Sequence, residues 1–231
     1  MTAGRYVGLL LLLQLAAGCS RQAEAPPIEP ANASVGQETA DPQADERLVV
    51  ALGDSLYAGY GVAQSESFPS VLERELEERG VPAKVVNAGV SGDTSAGGRA
   101  RLAFTLDGLE RKPDLVLVGL GANDALRGLD PAETRANLDA MLAELKRRGI
   151  PVLLTGMMAP RNMDGAYFRS FDSIYPDLAK KYGAALDPFF MDGVITERAL
   201  LLDDGLHPNA AGIRKMAERI APLAQQRLGQ D

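Results

Sequence analysis

Ser55 follows Gly53-Asp54, and the only histidine of the chain, His207, sits in Asp203-Asp204-Gly205-Leu206-His207-Pro208. A serine hydroxyl is a weak nucleophile until a base removes its proton. If imidazole chemistry takes place in this chain, His207 performs it. Asp204 lies three residues upstream, a spacing that lets a carboxylate reach Nδ1 and fix the ring tautomer. Ser55, Asp204 and His207 are therefore a candidate triad, in the chain order Ser, Asp, His. A histidine ahead of a helix also serves as a cap or a surface group, so the assignment leans on what accompanies it.

Acyl transfer further requires donors for a developing oxyanion. Three candidates stand out: the N–H of Ser55, the N–H of Gly89, where a missing Cβ permits close approach, and the side-chain amide of Asn123. Gly89 reads equally as a strand-end turn, and Asn123 as the Asx-turn of its own loop. Asp54 neighbours the serine, but adjacent turn residues point apart. Its expected role is to bond nearby backbone N–H groups. Asp124 and Asp203 read as supporting or solvent-facing.

These residues need a scaffold. Leu48 to Leu52 is a short continuous apolar run, as in a strand buried on both faces. Ala83–Asn87, Leu115–Val118, Val152–Thr155 and Ala184–Leu186 read as four further strands. Helices are expected at Phe68–Arg79, Ala96–Leu109, Asp130–Arg148, much of Gly165–Tyr182, and Asn209–Arg227. The clearest has Asp130 as cap, Pro131 at its first position, and Leu138, Met141, Leu142 and Leu145 on one face. Alternating strands and helices imply a parallel sheet covered on both sides, a three-layer α/β/α flavodoxin-like arrangement with five strands. Function in such sheets collects at the carboxyl ends of the strands. The turns carrying Ser55, Gly89 and Asn123 all follow strands on that edge.

The N-terminal region has a different composition. An apolar run from Tyr6 to Ala17, preceded by Arg5, is shorter than the ~20 residues that span a bilayer, so residues 1–18 read as a signal peptide. Leu15-Ala16-Ala17-Gly18-Cys19 resembles a bacterial lipobox, making Cys19 a candidate lipidation site. Residues 19–46 are rich in Ala, Pro, Glu, Gln and Asp and read as a disordered tether of roughly 25–30 Å. Residues 47–231 form the folded domain. The expected location is the outer membrane, anchored by lipid and facing the periplasm, or otherwise soluble in the periplasm or secreted. A net charge of −7 argues against a nucleic-acid partner.

Four motifs in order carry a family resemblance: Gly53-Asp54-Ser55-Leu56, Asn87-Ala88-Gly89-Val90-Ser91-Gly92-Asp93-Thr94-Ser95, Gly121-Ala122-Asn123-Asp124, and Asp204-Gly205-Leu206-His207-Pro208. Across Leu48 to about Leu223 the chain resembles the SGNH, or GDSL, hydrolases. Ile174-Tyr175-Pro176 and Pro188-Phe189-Phe190-Met191 are similar to the branch of thioesterase I/lysophospholipase L1 and bacterial arylesterases. The resemblance implies Ser55 as nucleophile, His207 as base, Asp204 as its orienter, and Ser55, Gly89 and Asn123 as the oxyanion hole, with no metal or cofactor. Ala122 departs from the thioesterase I pattern, which has a second Gly there.

The expected activity is a serine esterase working through a covalent acyl-enzyme on short- to medium-chain aryl or alkyl esters, with acyl thioesters and lysophospholipids as further substrates. Met157, Met158 and Arg161, after the fourth strand, are candidate acyl-pocket residues, because Met adapts to varied apolar ligands. A carbohydrate or peptidoglycan O-acetyl esterase is the alternative with the same residues. A non-catalytic binding lipoprotein is the alternative of a different class.

Overall fold

The computed structural model describes residues 46–229. The signal-peptide segment, Cys19 and the tether up to position 45 lie outside the described residues. The apolar runs form β1 (Arg47–Gly53), β2 (Ala83–Gly89), β3 (Leu115–Gly119), β4 (Val152–Thr155) and β5 (Ala185–Asp187). All five pair in parallel in the order β2-β1-β3-β4-β5, the flavodoxin-like order.

Successive strand residues face opposite layers. Val49, Ala51, Leu115 and Leu117 join one core with helices α2 (Phe68–Glu78) and α8 (Ala210–Leu228). Val50, Leu52, Val116 and Val118 join the other with α3 (Ser95–Asp107) and α5 (Pro131–Arg147). Because helices cover both faces, the central strands are apolar throughout rather than alternating. In α5 the carboxylate of Asp130 accepts from the N–H of Ala132 at 2.9 Å. Leu138, Met141, Leu142 and Leu145 are buried in the core, each worth about 1.5–3 kcal/mol.

The helical stretch expected over Gly165–Tyr182 is two helices, α6 (Gly165–Asp172) and α7 (Ile174–Tyr182). Pro176 is the third residue of α7, where a missing N–H costs no helix hydrogen bond. Two short helices were not expected: α1 (Ser55–Ala58), after β1, and α4 (Ala122–Leu126), after β3. The chain leaves β1 toward one edge of the sheet and leaves β3 toward the other. The crevice between these two strand ends is the switch point at which such sheets bind ligands.

Candidate active site

The turn from β1 into α1 presents the serine. Asp54 is the N-cap of α1, and its Oδ1 accepts from the N–H of Leu56 at 3.0 Å. This is the local backbone role expected for it. Burial pushes its carboxyl up to about 6. Ser55 is the first residue of α1, so its N–H belongs to the first turn, which has no intrahelical acceptors.

The loop before α8 presents His207. His207 Nε2 lies 2.9 Å from Ser55 Oγ, and His207 Nδ1 lies 2.7 Å from Asp204 Oδ2. With Nδ1 donating to the carboxylate, Nε2 is left to accept the serine proton. The second oxygen of Asp204 accepts from the N–H groups of His207 (3.0 Å) and Leu206 (2.9 Å). Those bonds, first the backbone N–H of His207, hold the Asp204 carboxyl down at about 2. The loop is closed by Leu202 N–H donating to His207 C=O at 2.8 Å. Arg198 donates to the carbonyl of Asp203 at 3.1 Å. Asp203 itself points to solvent.

Asn123 is the second residue of α4, which begins directly after Gly121. At Gly121 φ is +115°, and an added Cβ would stand 2.3 Å from Tyr175 Oη, so this turn requires glycine. Asn123 Nδ2 donates to the carbonyl of Asp93 at 2.9 Å and lies 3.4 Å from Asp54 Oδ2. Asp124 is buried and not solvent-facing. Its carboxylate takes the N–H of Ser95 at 2.8 Å, with the Ser95 and Thr134 hydroxyls at 2.5 and 3.1 Å.

Gly89 requires a correction. Its N–H donates to Asn87 Oδ1 at 2.9 Å, and it does not line the site. Glycine stands there for packing, because a Cβ would come within 2.3 Å of Ala58 N in α1. Gly92, three residues on, faces the site instead. It has φ +81°, in a turn whose hydrogen bond joins Asp93 N–H to Val90 C=O and leaves the N–H of Gly92 out.

A cavity of about 570 Å³ opens onto Ser55, Asn123 and His207. Its wall is mostly apolar. Met157, Met158 and Arg161 all line it, as does Ala122. Arg161 pairs with Asp172 at 2.6 Å and lies over the ring of Phe168 at 5.2 Å. Sequence reasoning missed Tyr60, which lines the cavity beside His207, and Arg101, which bonds the loops behind it. An aromatic five residues after the serine was the one available signal for Tyr60.

The profile of the GDSL-like lipase/acylhydrolase family matches residues 51–215. The chain belongs to this family. An arylesterase of Vibrio mimicus is 43% identical over 179 residues, 78% of this chain and 88% of the relative. The thioesterase 1/protease 1/lysophospholipase L1 of Escherichia coli K12 is 38% identical over 188 residues, 81% of this chain and 87% of the relative. The crystal structure of AlinE4, an SGNH-hydrolase family esterase, superposes with a TM-score of 0.68 at 48% identity, covering 78% of this chain and 96% of that one. Like its GDSL relatives, the chain is a carboxylic ester hydrolase with the α/β fold of SGNH hydrolases.

Proposed function

We propose that the protein hydrolyses short- to medium-chain acyl esters by a two-step acyl transfer through Ser55. The observation that carries this reading is the continuous hydrogen-bonded line from Asp204 through His207 to Ser55 at the base of an apolar cavity. Ser55 Oγ attacks the acyl carbonyl while His207 Nε2 takes its proton. The oxyanion is held by the N–H groups of Ser55 and Gly92 and by Asn123 Nδ2, Gly92 replacing Gly89 in that role. Collapse expels the alkoxide, which leaves as an alcohol with the proton from His207. Water then attacks the acyl-enzyme, giving up a proton to His207, and releases the carboxylic acid and free Ser55.

The cavity is larger than an acetyl group needs, and Met157, Met158 and Arg161 are proposed to line the acyl and leaving-group path. This supports an esterase for small amphiphilic esters, with thioesters as further substrates, over an O-acetyl esterase acting on a polymer. Hydrolysis of p-nitrophenyl esters from acetate to palmitate, by wild type and Ser55→Ala, tests it. Ser55-dependent turnover that peaks above acetate is expected. Turnover of acetylated polymer alone would favour the polymer deacetylase, and no fluorophosphonate labelling of Ser55 would favour the binding lipoprotein. Export and anchoring through lipidated Cys19 remain part of this proposal, supported by Leu15–Cys19 in the sequence. Incorporation of radiolabelled palmitate that is lost in Cys19→Ala tests them.

A further inference from the structure

One guanidinium behind the site bonds three different segments that converge on it. Arg101, in the middle of α3, donates from Nη2 to the carbonyl of Gly53 at 2.9 Å, from Nη1 to the carbonyl of Ala88 at 2.7 Å, and from Nε to Asp93 Oδ2 at 2.7 Å. Gly53 ends β1, two residues before Ser55. Ala88 is the penultimate residue of β2 and leads into the turn that carries Gly92. Asp93 follows Gly92 and offers its carbonyl to Asn123 Nδ2 at 2.9 Å. The nucleophile turn and both oxyanion turns are therefore referenced to one planar group.

The chemistry of that group suits the task. Guanidinium presents five N–H donors in a fixed fork, whereas an ammonium is a point charge on a flexible stem. The Arg101 and Asp93 side chains are 22% and 13% exposed, so the pair is largely withdrawn from water. The charged hydrogen bonds are shorter and stronger than neutral ones. Space is reserved for the Asp93 carboxylate as well: a Cβ on Gly97 would stand 1.9 Å from Asp93 Oδ1.

We propose that Arg101 is a positioning residue for the hydrolytic reaction, setting the distance between Ser55 and the oxyanion donors Gly92 and Asn123. It touches no substrate and acts through Gly53, Ala88 and Asp93. The proposal rests on the assignment of Ser55 and Asn123 given above. Misplacement of reacting groups by about 1 Å costs about 100-fold in rate. Its loss therefore lowers transition-state binding while the apolar cavity still binds the substrate.

Three variants of the full chain test it: Arg101→Lys, Arg101→Ala and Asp93→Asn, compared with wild type and Ser55→Ala on p-nitrophenyl butyrate. Folding is verified by circular dichroism and thermal unfolding. Expected is a fall of about 10- to 100-fold in kcat for Arg101→Lys, with KM within about threefold. The inhibition constant of a trifluoromethyl ketone analogue rises by the same factor as kcat/KM falls, a proportionality that a loss of folded protein does not produce. Guanidinium at millimolar concentration restores part of the activity of Arg101→Ala. If Arg101→Ala fails to fold, the other two variants decide. A folded Arg101→Lys and a folded Asp93→Asn with kcat within twofold of wild type overturn the inference. An active Ser55→Ala instead overturns the assignment of the nucleophile, so the two failures are distinguishable.

Discussion

The ring of Tyr60 lies against the imidazole of His207, with centroids 4.4 Å apart and planes inclined by 36°. His207 is bonded at both nitrogens, and Tyr60 covers one of its ring faces. In the proposed acyl transfer the imidazole becomes an imidazolium. An aromatic face favours that cation by about 0.5–1 kcal/mol at an exposed site. Tyr60 is 52% exposed, so the low end of the effect applies. Tyr60→Ala is expected to lower kcat/KM about two- to fivefold, and Tyr60→Phe to leave it near wild type. Steady-state kinetics of the pair check this. Equal losses in both variants would point to the phenol hydroxyl instead of the ring.

Asp204 fixes both the loop and the tautomer of His207. In Asp204→Asn the side chain can turn its NH₂ toward Nδ1 and favour the wrong tautomer. The expected loss in kcat is about 10³–10⁴-fold. Because Asp204 is held at about 2, it stays ionised across the working range. Asp204 therefore adds no inflection to kcat/KM above about pH 4. pH profiles of wild type and Asp204→Asn check this: an inflection above pH ~4 that vanishes only in the variant would show that Asp204 titrates there.

Asp54 titrates in the opposite sense. Its folded value of about 6 lies above the ordinary 3.8 because the carboxyl is buried. A carboxyl raised on folding contributes stability that is complete below about 3.8 and lost as pH rises through about 6. Asparagine keeps an acceptor for Leu56 N–H and never ionises. Relative to wild type, Asp54→Asn should gain about 3 kcal/mol between pH ~4 and ~6, then level off. Urea unfolding at stepped pH measures the difference. A gap that is constant from pH ~3 to ~8 would show that folding does not raise the Asp54 carboxyl, and one still widening beyond pH ~6 would show that it stays protonated there.

Met157 lines the cavity and packs against both cores. Met157→Trp fills part of the acyl space. Each methylene excluded from an apolar wall costs about 0.8 kcal/mol, or about fourfold. The variant should therefore lose octanoate turnover far more than acetate turnover. Competition between the two p-nitrophenyl esters reads this directly. Parallel losses on both would place Met157 away from the acyl chain.

Much of this site is legible along the chain because its chemistry is scarce. One histidine, a carboxylate three residues before it and a serine after an apolar run leave few arrangements. The strands are legible because a sheet covered on both faces needs unbroken apolar runs. What escapes the sequence is local or long-range. Helices α1 and α4 have four and five residues, too few to show a period. Gly89 ends β2 and Gly92 follows it in the next turn, and the bond from Gly89 N–H to Asn87 tells the two apart. Arg101 carries no signal along the chain, because its partners Gly53 and Ala88 are backbone carbonyls 48 and 13 residues away.

Covalent trapping of the acyl-enzyme tests the central claim most directly. The protein is mixed with p-nitrophenyl butyrate, quenched in acid within milliseconds, digested and mapped by mass spectrometry. A butyryl group on the peptide containing Ser55, accumulating in step with a burst of p-nitrophenol and absent in Ser55→Ala, is the predicted result. Turnover with no acylated Ser55, and full turnover by Ser55→Ala, would contradict a serine acyl-enzyme at this site.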